Sequence, residues 1–170
     1  MAGIAVGICG AMAASPSAAL ADISEAQADA ATAISARGEA AYSVTLGEFG
    51  ISAAAAENCG VRVDRPHPSW TTNNQIHTRV ESFCKILPVQ SNQLSAVSYR
   101  SRWFGWEKRG SASNSGAKDI VRVTVAVNCD YGSRHRWRTE GRGVAVIAGR
   151  TYTAAAYEQN DSEITCGANN

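Results

Sequence analysis

The run Lys118-Asp119-Ile120-Val121-Arg122-Val123-Thr124-Val125-Ala126-Val127-Asn128-Cys129 constrains the fold more than any other stretch. Val121, Val123, Val125 and Val127 recur at every second residue, with Arg122 and Thr124 between them. A period of two places the valines on one face of an extended chain, and branched side chains favour that pleated surface. Such a strand is half-buried, so it requires a second layer to cover its valine face.

Similar signals recur along residues 59–170. Val61–Val63 is short and stops at Pro66-His67-Pro68. Ile76, Thr78 and Val80 alternate with His77, Arg79 and Glu81. Leu94–Trp106 reads as one extended run, and Ser111–Gly116 as a Gly/Ser/Asn loop. Arg134–Thr139, Gly143–Ile147 and Thr151–Tyr157 complete the set, the last two joined by a short hairpin turn at Ala148-Gly149-Arg150. Short strands at regular spacing, without a βαβ rhythm, predict an all-β antiparallel sandwich or barrel, of which the immunoglobulin-like sandwich is one form.

Two segments precede this domain. Residues 1–21 have an apolar, uncharged run through Ala14 and end in Ala19-x-Ala21, which predicts a signal peptide cleaved before Asp22. Residues 22–58 are Ala-rich and carry Arg37 as the one base against six acids, a balance of −5. Residues 59–170 carry 15 Lys and Arg against 9 Asp and Glu, a balance of +6. Ile23, Ala26, Ala30, Ala33 and Ile34 sit at helical spacing, with acids in the first turn. Because its apolar face is nearly all Ala, the arm is expected to be marginal as an isolated helix. Tyr42, Val44 and Leu46 alternate with polar or small residues and predict a short strand that could add to a partner's sheet.

Four cysteines lie beyond the signal peptide: Cys59, Cys84, Cys129 and Cys166. An even number in an exported chain predicts two disulfides. Three pairings are open, and Cys59–Cys84 with Cys129–Cys166 is favoured because it puts one staple in each half of the domain. No C-x-x-C is present, and His67, His77 and His135 lack metal-ligand spacing to the cysteines, so no metal or other cofactor is expected.

Two clusters are candidates for partner binding. In Tyr99-Arg100-Ser101-Arg102-Trp103-Phe104-Gly105-Trp106, strand alternation gives Val97, Tyr99 and Trp103 to the core. Arg100, Arg102, Phe104 and Trp106 are then exposed, a mixture of aromatic and Arg side chains suited to a protein interface or a sugar ring. In Arg134-His135-Arg136-Trp137-Arg138, the residues Arg134, Arg136 and Arg138 form a basic stripe that would attract a polyanion or an acidic protein. No G-x-S-x-G, H-E-x-x-H or Walker loop occurs, so a non-enzymatic role is expected.

The stretches Cys59–Ser69, Tyr99–Trp106 and Thr151-Tyr152-Thr153 resemble small secreted disulfide-bonded β-domain proteins of actinobacteria, over most of residues 59–170. Some such proteins are adaptors in large extracellular toxin particles, where an N-terminal segment threads into a partner. The arm-plus-domain layout is similar to that. The resemblance implies a secreted adaptor with a larger secreted protein as partner, and it assigns no site residues. Cell-wall glycan binding and enzyme inhibition through a loop such as Arg65–Trp70 are the alternatives. Neither nucleic acid nor stable membrane insertion is expected.

Overall fold

The computed structural model describes residues 36–44, 58–85 and 89–167. They form thirteen strands in two facing sheets and a small ribbon. The first three are β1 (Ala36–Arg37), β2 (Glu39–Ala41) and β3 (Ser43–Val44). Next come β4 (Cys59–Val63), β5 (His67–Pro68), β6 (Gln75–Cys84), β7 (Val89–Arg102) and β8 (Gly105–Gly116). The chain ends through β9 (Ile120–Asn128), β10 (Arg134–His135), β11 (Trp137–Ile147), β12 (Arg150–Gln159) and β13 (Ile164–Thr165).

One sheet runs β1–β12–β11–β7–β8, with β3 also on β12. In the other, β6 is central, with β9 on one side and β4 and β5 on the other; β2 lies outside β4. Every pairing is antiparallel except β1 with β12. The expected all-β antiparallel sandwich is therefore the fold.

The valines of β9 bury as the alternation requires, and Val61, Val63, Ile76 and Val80 join them from the same sheet. The facing sheet supplies Leu94, Ala96, Trp137, Ala145, Ile147, Tyr152, Ala154 and Ala156. Two glycines of β11 let the layers approach. A Cβ on Gly141 would lie 2.5 Å from Val80 Cγ1, and one on Gly143 would overlap the Tyr42 hydroxyl.

Polar side chains also cross the core, and each finds a partner. Tyr42 Oη and Ser82 Oγ are 2.7 Å apart, and the Ser82 hydroxyl donates to Asn92 Oδ1 at 2.6 Å. Asn92 Nδ2 in turn donates to the Lys118 carbonyl at 3.2 Å. Nearby, Ser98 Oγ lies 2.6 Å from Thr139 Oγ1, which donates to Thr78 Oγ1 at 2.9 Å. A buried polar atom without such a partner costs about 1–3 kcal/mol, so these bonds admit side chains that composition alone would place outside. Burial pushes the Tyr42 phenol up to about 12, against a small opposing effect of Ser82.

Both disulfides form in the favoured pairing. Cys59–Cys84 joins directly opposite residues of β4 and β6. Cys129–Cys166 ties the end of β9 to the turn after β13.

Several expectations are corrected. The division at Cys59 does not hold for Ala36–Val44, which belongs to the sheets. Tyr42 is a core residue rather than part of an exposed strand, and Val44 pairs with Tyr152 of the same chain. Leu46, the expected signal peptide at 1–21 and residues 22–35 lie outside the described residues. The run Leu94–Trp106 is not one strand, because the chain reverses at Trp103-Phe104 and returns as β8. Ser111–Gly116 is strand, not loop. Backbone pairing with β7 holds it extended, and Gly110 leaves room for Val127 Cγ2, 3.0 Å from where a Cβ would sit.

The facing of β7 is also opposite to the expectation. Leu94, Ala96, Ser98 and Arg100 point inward, and Trp103 is 95% exposed at the turn. The hydroxyl bonds of Ser98 and the ion pairs of Arg100 make the polar residues acceptable inside. Trp137 is the buried tryptophan.

Candidate functional site: an aromatic end and a polar cleft

Sheet register defines one end of the sandwich. Gln75 at the start of β6 pairs with Asn128 at the end of β9. Trp137 at the start of β11 pairs with Arg100 near the end of β7, and Arg138 with Gln159 at the end of β12. The Thr139–Thr78 bond joins the two sheets near these termini. The 103–104 turn, the 69–74 loop, the 129–133 loop and the β10–β13 ribbon therefore gather at this end.

The exposed aromatic side chains gather there too. Trp103, Phe104 and Trp106 cap the β7–β8 hairpin; Tyr131 lies on the 129–133 loop and Trp70 on the 69–74 loop. Trp103 and Phe104 meet edge to face, with ring centroids 5.3 Å apart and planes at 89°. That is a favourable arrangement for two aromatic quadrupoles, so neighbouring rings hold each other in place. Gly105, with a φ of 124°, takes the chain out of the turn. Tyr131 lies over Gly167, where any Cβ would meet its ring at 2.5 Å.

An ion network braces the hairpin. Arg100, whose side chain is 5% exposed, donates to Glu107 Oε2 at 2.9 Å and lies 3.9 Å from Asp130. Arg102 donates to the same Glu107 oxygen at 2.8 Å, and Arg109 lies 3.5 Å from the other. Hydrogen bonds from Arg100 and then Arg102 hold the Glu107 carboxyl down to about 2. His135 is held below its ordinary value first by burial, then by the charges of Arg100 and Arg102.

The linkage follows from the sign of the Glu107 shift. A depressed carboxyl contributes stability that is complete above its ordinary value of 4.5 and is lost as pH falls through about 2. Glu107→Gln should destabilise the chain at pH 7, because Arg100 loses its nearest counter-charge. The gap between wild type and variant should close between pH 4.5 and 2, as seen in urea midpoints taken across that range. A gap that does not change with pH would mean that the carboxylate charge is not what holds Arg100.

Of the expected binding residues, Arg102, Phe104 and Trp106 come together at this end, with Arg134 and Arg136 nearby. Ser101 and Arg136 exchange hydrogen bonds of 2.9 and 3.0 Å. Arg100 is an internal anchor, not a contact surface. The basic stripe is broken, because β10 and β11 belong to different sheets. Arg138 stacks 4.3 Å over the Tyr157 ring and pairs with Glu140 at 2.9 Å. Tyr42 is internal, and Val44 pairs along β12 near the start of that strand, toward the other end. Trp70 enters the sequence reading only as the end of the Arg65–Trp70 loop, and Tyr131 not at all, because each is a single aromatic in a loop.

Beside the aromatic end lies an open cleft of about 350 Å³, lined by Asp64, His67, Trp70, Thr71, His77, Arg79 and Thr124. His77 and Arg79 point outward from β6, and Thr124 from β9. His67 on β5 is the direct cross-strand neighbour of His77. Buried Ser69 shapes the adjoining loop by accepting from the backbone N–H groups of Thr71 and Thr72 at 3.3 and 3.0 Å. Burial, then His67, lowers the pKa of His77.

Comparison with known proteins gives no match among protein-family models, curated proteins or solved structures.

Proposed function

We propose that this chain is a secreted, non-enzymatic binding module that joins proteins in an extracellular assembly and docks through its aromatic end. The observation that carries the reading is the grouping of Trp103, Phe104, Trp106 and Tyr131 on one end, outside the core. Each such side chain left in water forgoes about 1.5–3 kcal/mol of burial, which a partner's surface would recover. Trp103 and Phe104 pack edge to face, a contact that reduces the side-chain freedom left to lose on docking. Trp, Tyr and Arg are also the residue types that dominate binding energy at protein interfaces.

Charge supports an acidic partner patch. Around the hairpin and ribbon lie Arg102, Lys108, Arg109, Arg134 and Arg136, five surface bases against the three acids Glu107, Asp130 and Glu163, with Arg100 buried beneath them. Complementary charge steers encounter and fixes orientation. Two disulfides are consistent with an extracellular protein. The acidic residues 22–35, ahead of the stitched strands, supply the contact to a second partner in this reading.

The test is affinity purification from culture supernatant with the full chain and with the Trp103→Ser/Phe104→Ser variant. Both side chains are exposed, so the fold should be kept. A specific co-eluting protein should bind the variant at least about 30-fold more weakly. Undiminished capture by the variant, or no specific capture by either chain, would overturn the proposal.

A further inference from the structure

We infer that the cleft between β5, β6 and β9 is a saccharide site, with Trp70 as the platform for a sugar ring. The inference is independent of the hairpin reading, because none of Trp103, Phe104 or Trp106 lines this cleft.

The hydrogen-bond directions around the two histidines carry it. Gln75 Nε2 donates to Asn128 Oδ1, so Gln75 Oε1 is left to accept from His77 Nε2 at 3.0 Å. His77 is then protonated on Nε2, and Nδ1 is a lone-pair acceptor. The carbonyl of Pro68 can only accept, so His67 Nδ1 at 3.0 Å must donate, and Nε2 becomes the acceptor. Neither remaining ring nitrogen has a partner among the described residues.

The rest of the lining completes a mixed set of donors and acceptors. Asp64 accepts, Arg79 donates, and the hydroxyls of Thr71 and Thr124 do both. Among the described residues, no carboxylate lies within ion-pair distance of Arg79. One Asp stands against one Arg, so the fixed charges of the cleft balance. A polyanion gains little in such a site. A ring bearing several hydroxyls gains much, since each hydroxyl both donates and accepts. Trp70, 69% exposed on a loop held by Ser69, offers an apolar face to the C–H side of that ring. The volume of about 350 Å³ falls at the small end of ordinary ligand sites and suits one or two sugar units at a time.

A glycan array carrying neutral microbial and plant oligosaccharides, probed with the full chain, tests this. Array hits are then titrated by calorimetry against wild type and variants, with polyphosphate as the control for charge. A limited set of neutral glycans should bind. Trp70→Ala should weaken them at least 10-fold and Arg79→Gln several-fold, while Trp103→Ala leaves them unchanged. All three altered side chains are exposed, and amide NMR spectra would verify that the fold is kept. No glycan retained on the array, polyphosphate bound as well as the best glycan, or binding that survives Trp70→Ala would each overturn the assignment. Loss of binding on Trp103→Ala with Trp70→Ala silent would place the sugar on the hairpin instead, and would also overturn it.

Discussion

Replacing Cys129 and Cys166 together by serine should lower stability by roughly 3–4 kcal/mol, the loop-closure value for a cross-link of this span. This bond ties the end of β9 to the turn after β13. Without it, the β10–β13 ribbon keeps one short pairing, with Arg134 opposite Thr165 and His135 opposite Ile164. The backbone bonds of Gly132 to Cys166 and of Cys166 to Ser133 would then open readily. Native-state hydrogen exchange should show lost protection at the amides of positions 132 and 166 before any change in β9 or β11. A urea midpoint within error of wild type would show that loop closure is not what this bridge contributes.

Adding one methyl group at position 143 should have a comparable effect for a different reason. Gly→Ala within a strand ordinarily stabilises, because Gly has more backbone freedom to lose. At Gly143 the new Cβ would overlap the Tyr42 hydroxyl and crowd Val61 Cγ2. Over-packing of this kind costs about 1–3 kcal/mol, and Gly143→Val should exceed that range. The source of the clash can be isolated. Tyr42→Phe removes the obstructing oxygen, so its cost and that of Gly143→Ala should add to more than the cost of the double variant. Strict additivity in denaturation midpoints would show that the sheets do not meet through this contact.

These two sites show what was legible in the sequence. The strand β9 was plain because its valines alternate without interruption. Of the three cysteine pairings the sequence left open, the favoured one, with a staple in each half, is the one that forms. By contrast, β8 is rich in Gly, Ser and Asn, and it is a strand only because β7 pairs with it along its length. The face of β7 was misjudged because hydrophobicity alone ranks Tyr99 and Trp103 above Ser98 and Arg100. The partners that admit Ser98 and Arg100 inside, Thr139 and Glu107, lie on other strands. The aromatic end was half visible. Phe104, Trp106 and Arg102 are adjacent in sequence, whereas Trp70 and Tyr131 join them only through topology. The cleft was invisible, since His67 and His77 become neighbours only once the β5–β6 register is known.

The N-terminal stitch sets an order of assembly. β1 and β3 have their partner in β12, with Ala36 opposite Ala156 and Val44 opposite Tyr152. Tyr42, between them, fills a cavity whose walls include Gly143 and Ser82. Contacts spanning that much sequence close a large loop and form slowly. A growing chain that lacks its last strands can lay Glu39–Ala41 on β4 but has no edge for Ala36–Arg37 or Ser43–Val44, and its core stays open until β12 is available. Almost the whole polypeptide must be present before the native state can exist, which leaves the shorter chain pliable during synthesis and during any passage through a narrow pore.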